Sequence, residues 1–167
     1  MFYDNSGNKG FLNFQFPDAM TDKAVRECWE YYHFLYNGCD VRKAPFCDYV
    51  EDMINWQKKH GISKTGLGEF KKIYKGVIWS SLTREALEFC FRYADRHPDY
   101  IEDIKYTRIR DEFYFHIILF NHADFEQKVI KDGKHGMYWK NGFYYMTIER
   151  YKNCEKAGKL FIRKVSS

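Results

Sequence analysis

Several features that define other protein classes are scarce in this 167-residue sequence. Its five cysteines are odd in number and form no Cys-x-x-Cys pair, which disfavours a disulfide framework or a zinc ribbon. No stretch approaches the roughly 20 apolar residues of a membrane span, and the polar segment from Met1 to Lys9 holds no secretory-type hydrophobic run. We therefore expect a cytoplasmic protein with no membrane partner.

Common catalytic signatures are also missing. The segment from Ile62 to Gly68 lacks the Gly-x-x-x-x-Gly-Lys-Ser/Thr order of a phosphate loop, and no Gly-x-Ser-x-Gly element occurs. His33, Cys39 and Cys47 match the spacing of no common zinc finger. Lys+Arg 27 against Asp+Glu 23 leaves a net charge of +4, which permits nucleic acid as a partner without demanding it.

What the chain has in abundance is aromatic side chains, with Phe 15, Tyr 14 and Trp 4. Such large side chains fill a core and also serve base stacking and interface hot spots. A chain of this length buries roughly 70% of its unfolded surface in one core. Because no repeat, low-complexity tract or linker interrupts it, we predict a single compact domain over residues 1–167.

Apolar residues at helical spacing predict three helices. The first runs from Asp18 towards Gly38, the second from Pro45 to Gly61, and the third from Thr83 to Arg96. The segments Glu69 to Trp79 and Asp124 to Lys131 fit either a helix or a strand.

The remaining segments are strand-like. A first strand covers Phe11 to Phe16 before Pro17, and the pattern from Tyr100 to the end favours strands. These are Tyr100 to Arg110, Phe113 to Phe120, a hairpin of Met137 to Trp139 with Phe143 to Ile148, and Lys159 to Val165, which is a short strand or helix. Phe113 to Phe120 is apolar on both faces, as in a central strand. The predicted fold is α+β, a mainly antiparallel β-sheet with three or so helices.

Period-two alternation on the Phe113 to Phe120 strand places Glu112, Tyr114 and His116 on one face. An acid beside an imidazole is a candidate metal pair, so we consider His116 and Glu112 as ligands of a divalent ion; the alternative is that His116 is a satisfied core residue. A second grouping, Asp111 with Glu126 and Lys128, is typical of Mg²⁺-dependent phosphodiester cleavage.

Three segments together resemble a known family. Phe11 to Pro17 resembles a first-motif strand of the type Phe-Leu-Thr-Leu-Thr-Phe-Pro, and Tyr114 to Phe120 resembles a central strand of the type His-hydrophobic-His. Tyr138 to Phe143, followed by Glu155 to Leu160, is similar to a stretch that leads into a nucleophile helix. This set resembles the HUH superfamily of rolling-circle replication initiators and related DNA-nicking enzymes.

The resemblance implies specific chemistry. In that family two histidines hold Mg²⁺ or Mn²⁺, and a tyrosine of a Tyr-x-x-Lys helix attacks the scissile phosphate. Here Tyr114 stands where the first histidine belongs, and no Tyr-x-x-Lys occurs. The implied catalytic residues are therefore His116 and a substitute tyrosine, Tyr151. These departures suggest a divergent active site or a DNA-binding descendant that no longer nicks.

On this interpretation the protein is a DNA-processing or replication protein of plasmid or viral type with single-stranded DNA as its partner. Basic side chains would lie near the phosphates of the DNA, and aromatic rings would stack on its nucleobases. The alternative for the basic side chains is that they form an ordinary solvated rim. The residues concerned are Arg108, Arg110, Lys128, Lys131, Trp139 and Tyr144.

A hypothesis of a different class is a small non-enzymatic, virus-encoded inhibitor that binds a host macromolecule. An exposed aromatic cluster would form its hot spot. The candidates are Tyr31, Tyr32, Phe34 and Tyr36, or Tyr138 to Tyr145. The sequence leaves open whether the protein is an enzyme.

Overall fold

The computed structural model describes residues 10–16, 23–34, 46–64, 70, 72–130, 135–137, 139–140, 143–144 and 146–163. Within these residues helices predominate. The α-helices are α1 (Lys23–Glu30), α2 (Phe46–Lys59), α3 (Arg84–Arg96), α4 (Pro98–Lys105), α5 (Tyr114–Phe120), α6 (Ala123–Glu126) and α7 (Ile148–Lys156). The strands are β1 (Gly10–Phe16), β2 (Lys75–Ser81), β3 (Val129–Ile130), β4 (His135–Met137), β5 (Trp139–Lys140), β6 (Phe143–Tyr144) and β7 (Phe161–Arg163).

The strands form three small sheets rather than one large one. In the first, β1 pairs with β2 antiparallel and with β3 parallel, in the order β2-β1-β3. In the second, β4 and β7 pair in parallel, and β5 and β6 form a two-stranded antiparallel pair. The predicted mainly antiparallel sheet with three helices is therefore wrong, because much of the presumed sheet is helical.

Two helix predictions are confirmed closely. The second predicted helix is α2, and the third is α3, which begins after Thr83. The Thr83 hydroxyl accepts a hydrogen bond from the backbone N–H of Ala86 at 3.2 Å, which satisfies one of the unpaired donors of the first turn. The first predicted helix is seen as α1, but it ends at Glu30, and Tyr31 to Phe34 are not helical as predicted. The predicted parts before residue 23 and after residue 34 lie outside the described residues.

The largest error concerns Phe113 to Phe120, which is the buried helix α5 and not a central strand. A helix that is apolar on all sides must be buried on all sides, and His116 and Ile117 to Phe120 are each at most 2% exposed. A short apolar run fits a buried strand and a buried helix equally well, so periodicity cannot separate them. Tertiary burial decided between the two.

The preceding segment is also helical. Tyr100 to Arg110 was predicted as a strand, but Pro98 begins α4, where its fixed φ suits a first helical turn. A 3₁₀ turn over Arg110–Glu112 then leads into α5, so the predicted hairpin with Phe113 to Phe120 is wrong. The Tyr100 hydroxyl donates a hydrogen bond to the backbone carbonyl of Tyr114 at 2.8 Å and ties α4 to α5.

The other strand predictions fare better. Strand β1 confirms Phe11 to Phe16. The predicted hairpin is confirmed only next to its turn, where Trp139 pairs with Tyr144, because Met137 belongs to β4, which pairs with β7, and Ile148 begins α7. Of the ambiguous segments, the first ends in β2, and the second contains α6 and then β3. The strand alternative for Lys159 to Val165 is confirmed by β7.

One main hydrophobic core surrounds α5. Side chains from α1, α3, α4 and the segment before β2 pack around it, and a smaller cluster joins Val50 and Ile54 of α2 to Tyr31. Buried core members include Trp29, Ile73, Cys90, Ile104, Phe113 and Phe125. In the described part of the chain no helix has both the length and the apolar character needed to cross a membrane.

A buried lysine joins the chain after α2 to the end of α4. The Lys64 ammonium donates to the Asp103 carbonyl at 2.9 Å and to the Thr107 hydroxyl at 2.6 Å, and it lies 4.6 Å from the centroid of the Trp29 ring. Burial lowers the pKa of Lys64 to about 8, against the partial compensation of the Asp103 carboxylate.

The core predicts that shortening Ile117 is costly. Ile117→Ala removes a fully buried side chain and should lower the free energy of unfolding by about 2–5 kcal/mol in urea denaturation. The control Ile148→Ala alters a side chain that is 78% exposed and should change the free energy of unfolding by less than about 0.5 kcal/mol. Equal effects of the two variants would contradict the burial of α5.

Lys64 predicts a distinctive pH dependence. Between pH of about 8 and 10.5 the unfolded chain keeps the Lys64 proton that the folded chain releases, so raising the pH through this window favours folding. The free energy of unfolding of the wild-type protein, measured relative to that of the Lys64→Met variant, should rise by about 3 kcal/mol between pH 8 and 10.5 and stay level below pH 8. Parallel curves for the two proteins would refute the lowered pKa.

Candidate functional site

A cleft of about 370 Å³ opens where β2, α4, the 3₁₀ turn and the start of α5 meet. This volume lies within the range of about 300–1,000 Å³ that is usual for small-molecule sites. Apolar and aromatic side chains form most of its wall, with a few polar groups among them. The lining residues are Ile78, Ser80, Ile104, Arg110, Asp111, Tyr114, Phe115 and His116.

The backbone turns sharply at the residue before the polar pair Arg110 and Asp111. Ile109 has φ of 51°, in the left-handed region that a β-branched residue rarely adopts and that costs roughly 1–2 kcal/mol. The Arg110 guanidinium also donates to the Lys105 carbonyl at 3.2 Å, across the end of α4. The strained turn and this hydrogen bond hold both side chains at the cleft.

The polar groups of the cleft differ in exposure and charge. The Asp111 carboxylate is exposed, and Arg110 and Ser80 are half-buried. Burial, followed by the nearby Cys90 and Asp95, raises the pKa of the Tyr114 phenol, which therefore stays protonated at neutral pH. The cleft thus combines an anion, a cation and neutral hydroxyl groups over an apolar wall.

His116 also lines this cleft. It is 1% exposed, and its ring is parallel to that of Phe120 with 6.3 Å between the ring centroids. The helical course of α5 removes the period-two alignment that placed Glu112, Tyr114 and His116 on one strand face. The histidine is a buried core residue that also borders the cleft.

Glu112 is engaged elsewhere. Its carboxylate forms an ion pair of 2.5 Å with the ammonium of Lys75, which is 7% exposed at the start of β2. Within the described residues no group of three or more His, Cys, Asp or Glu side chains lies close enough to hold a metal ion. The pair fastens the 3₁₀ turn to β2 and so helps to shape the cleft.

The other sequence-predicted residues are dispersed. Tyr151 is 48% exposed on α7 and does not line the cleft, and the Arg108 backbone N–H donates to the Cys28 carbonyl at 3.0 Å. Lys128 pairs with Glu85 of α3 at 3.1 Å, and Glu126 is exposed on α6.

The hairpin residues complete the set. Trp139 and Tyr144 are paired across β5 and β6, and Lys131 lies outside the described residues. Of the predicted site residues, Arg110 and His116 thus meet at the cleft, together with Asp111.

The comparison with family models identifies the class of protein. The model of the Core-2/I-branching enzyme matches residues 49–166, well over half of the chain. The chain belongs to this family, which is a family of glycosyltransferases. Neither a curated protein nor a solved structure matches the chain.

This membership overturns the earlier functional expectations. Members of the family act on glycan acceptors with sugar donors, so single-stranded DNA as the partner, replication, endonuclease activity and a virus-encoded inhibitor are all wrong. The HUH resemblance fails on the structure as well. It needs Phe11 to Phe16 beside Phe113 to Phe120 in one sheet, but the neighbours of β1 are β2 and β3. Short apolar motifs are shared by unrelated folds, and this is why they misled.

Sequence reasoning missed much of the cleft wall. Ile78, Ser80 and Ile104 carry no motif, and they reach the cleft because β2 and α4 pack beside the 3₁₀ turn. Asp111 and Tyr114 were noticed, the first as a metal ligand and the second as a replaced histidine. The one local signal was the charged run Arg110-Asp111-Glu112 next to an apolar helix.

The Lys75 and Glu112 pair predicts a measurable stability effect. Glu112→Gln leaves a buried ammonium without its carboxylate and should lower the free energy of unfolding by about 1–3 kcal/mol. The control Glu85→Gln breaks the exposed pair with Lys128 and should cost less than about 1 kcal/mol. Chemical denaturation measures both, and a smaller loss for Glu112→Gln than for the control would contradict this role.

Proposed function

We propose that this chain transfers an N-acetylglucosamine unit from an activated donor to a hydroxyl group of a glycan, and that the cleft around Asp111 is the site of transfer. Membership of the Core-2/I-branching family supports the reaction class. The observation that carries the assignment is that Arg110 and Asp111 lie side by side in a sugar-sized cleft. All the lining residues lie inside the matched segment 49–166.

The reaction requires three things of the site. The acceptor hydroxyl must lose its proton as its oxygen bonds to the anomeric carbon, the bond from that carbon to the donor phosphate must break, and the departing phosphate must take the electron pair. A positioned carboxylate serves as the base for the first step. A guanidinium stabilises the charge that develops on the departing phosphate.

Asp111 and Arg110 fit these two roles. The exposed carboxylate of Asp111 is open to an acceptor that enters from solvent, and its proton can pass on to water. Arg110 is held at the cleft by its hydrogen bond to the Lys105 carbonyl, and a guanidinium matches phosphate geometry with two parallel N–H donors.

The apolar wall supplies binding and orientation. Tyr114 and Phe115 present rings, Ile78 and Ile104 present aliphatic surface, and a sugar ring has an apolar face that packs on such groups. The hydrogen bond from Tyr100 to the Tyr114 carbonyl keeps this wall in place during binding. Tyr114, whose phenol remains protonated, and Ser80 provide neutral hydroxyl groups for sugar hydroxyls.

The proposal predicts loss of transfer when the base is removed. The purified protein is incubated with UDP-N-acetylglucosamine and oligosaccharides that carry free 6-hydroxyl groups, and mass spectrometry detects the gain of one N-acetylhexosamine. Asp111→Asn should lower kcat at least about 100-fold, because its amide cannot take the proton.

The control Asp52→Asn changes an exposed carboxylate on α2 that does not line the cleft and should leave kcat within about twofold. Transfer by Asp111→Asn at the control rate would remove Asp111 from the mechanism. Absence of transfer by the folded wild-type protein to every acceptor would refute the proposed function.

A further inference from the structure

A second cleft lies at the end of α3. Its volume is about 180 Å³, and it is lined by Phe89, Arg92, Tyr93, Arg96, His97 and His122. None of these residues lines the cleft around Asp111. A space below about 300 Å³ suits a ligand smaller than most cofactors, on the scale of one ring and one small charged group.

The sequence builds this site on one face of a helix. Phe89, Arg92, Tyr93 and Arg96 recur at spacings of three and four, so their side chains lie along the same side of α3. His97 follows directly as the helix cap, and His122 comes from the turn between α5 and α6. Two aromatic residues therefore alternate with two arginines along this face, and two histidines complete the lining.

The charge of the lining is of one sign. Among the described residues that line it, the ionisable groups other than the Tyr93 phenol are arginine and histidine. Arg92 forms an ion pair with Glu88 at 3.8 Å, and both side chains are more than half exposed. Such a pair is weak in water and leaves the guanidinium able to bind a second anion.

The aromatic rings and histidines are held in fixed positions. The His122 Nδ1 atom lies 2.6 Å from the Ile118 carbonyl oxygen, which only accepts, so Nδ1 carries a hydrogen. The His122 ring contacts Phe89 with 4.8 Å between centroids, and Tyr93 stacks on His97 at 4.1 Å. A ligand ring thus meets preformed aromatic surface.

The dipoles of α3 and α4 have opposite effects on an anion in this cleft. The negative end of α3 lies at the cleft and opposes an anion, but His97, the C-cap of α3, is also the N-cap of α4, so the positive end of α4 lies at the same place. These two contributions offset each other in part. The full charges of Arg92 and Arg96 therefore decide the sign of the local potential.

We propose that this cleft binds the phosphate or sulfate group of a small ester, with Arg92 and Arg96 on the oxyanion and the ester's ring against Phe89 and Tyr93. A guanidinium pair binds a tetrahedral oxyanion through several charge-assisted hydrogen bonds. The proposal concerns binding at a second location and does not depend on the transfer reaction.

Calorimetric titration of the full chain with phenyl phosphate, phenyl sulfate and inorganic phosphate tests it. At least one ester should bind about tenfold more tightly than inorganic phosphate, because only the esters bring a ring. The ratio of the two esters assigns the oxyanion. Arg92→Gln with Arg96→Gln should weaken the tighter ester at least about tenfold.

The matched control is Arg26→Gln with Lys152→Gln, which removes the same charge from two exposed basic residues that do not line the cleft. It should change the affinity by less than about twofold. In the wild-type protein the ester should also shift the ring NMR signals of His97 and His122. Absence of ester binding, equal losses in the two double variants, or inorganic phosphate that binds as tightly as the esters would each overturn the proposal.

Discussion

Burial of α5 from His116 to Phe120 is the constraint on which the described structure depends. Phe113, Ile117 and Ile118 are fully excluded from solvent, so α1, α3, α4 and the segment before β2 must all pack against this short helix. A helix of seven residues has little stability of its own in water. Packing against the neighbouring elements therefore stabilises α5, and the same packing fixes how those elements are oriented around it.

The candidate site follows from that arrangement. The chain has to enter α5 from the end of α4, and it does so through the left-handed Ile109 and the 3₁₀ turn that carries Arg110 and Asp111. The pair between Glu112 and Lys75 attaches this turn to β2, whose outer residues complete the wall. The strained residue is tolerated because packing on both sides over-determines its conformation. A charged rim over an apolar wall results, which suits a sugar that has both polar edges and an apolar face.

Some parts of this protein could be read from the sequence and others could not. Helices α2 and α3 were predictable because their apolar stripes recur over several turns, and Thr83 caps the start of α3. The segment from Pro98 to Phe120 was not, since its apolar and aromatic run satisfies the rules for strands and for buried helices alike. That one misassignment also produced the false alignment of Glu112 with His116 and supplied one of the three segments on which the resemblance to DNA-nicking enzymes rested. The periodicity of apolar residues identifies a helix best where one face of the helix is exposed to water, and least well where the helix is buried in the core.

The sequence by itself determined strand β1, helices α2 and α3, and the part of the hairpin next to its turn, β5 with β6. It also carried the chemical groups of both clefts, since Arg110-Asp111 and the Arg92, Arg96 pair are visible in it. Only the tertiary structure decided that α5 is a helix and that Ile78, Ile104 and Tyr114 converge. The reason is that contacts between residues distant in the chain depend on how all the buried surfaces fit at once, and no local periodicity records that fit.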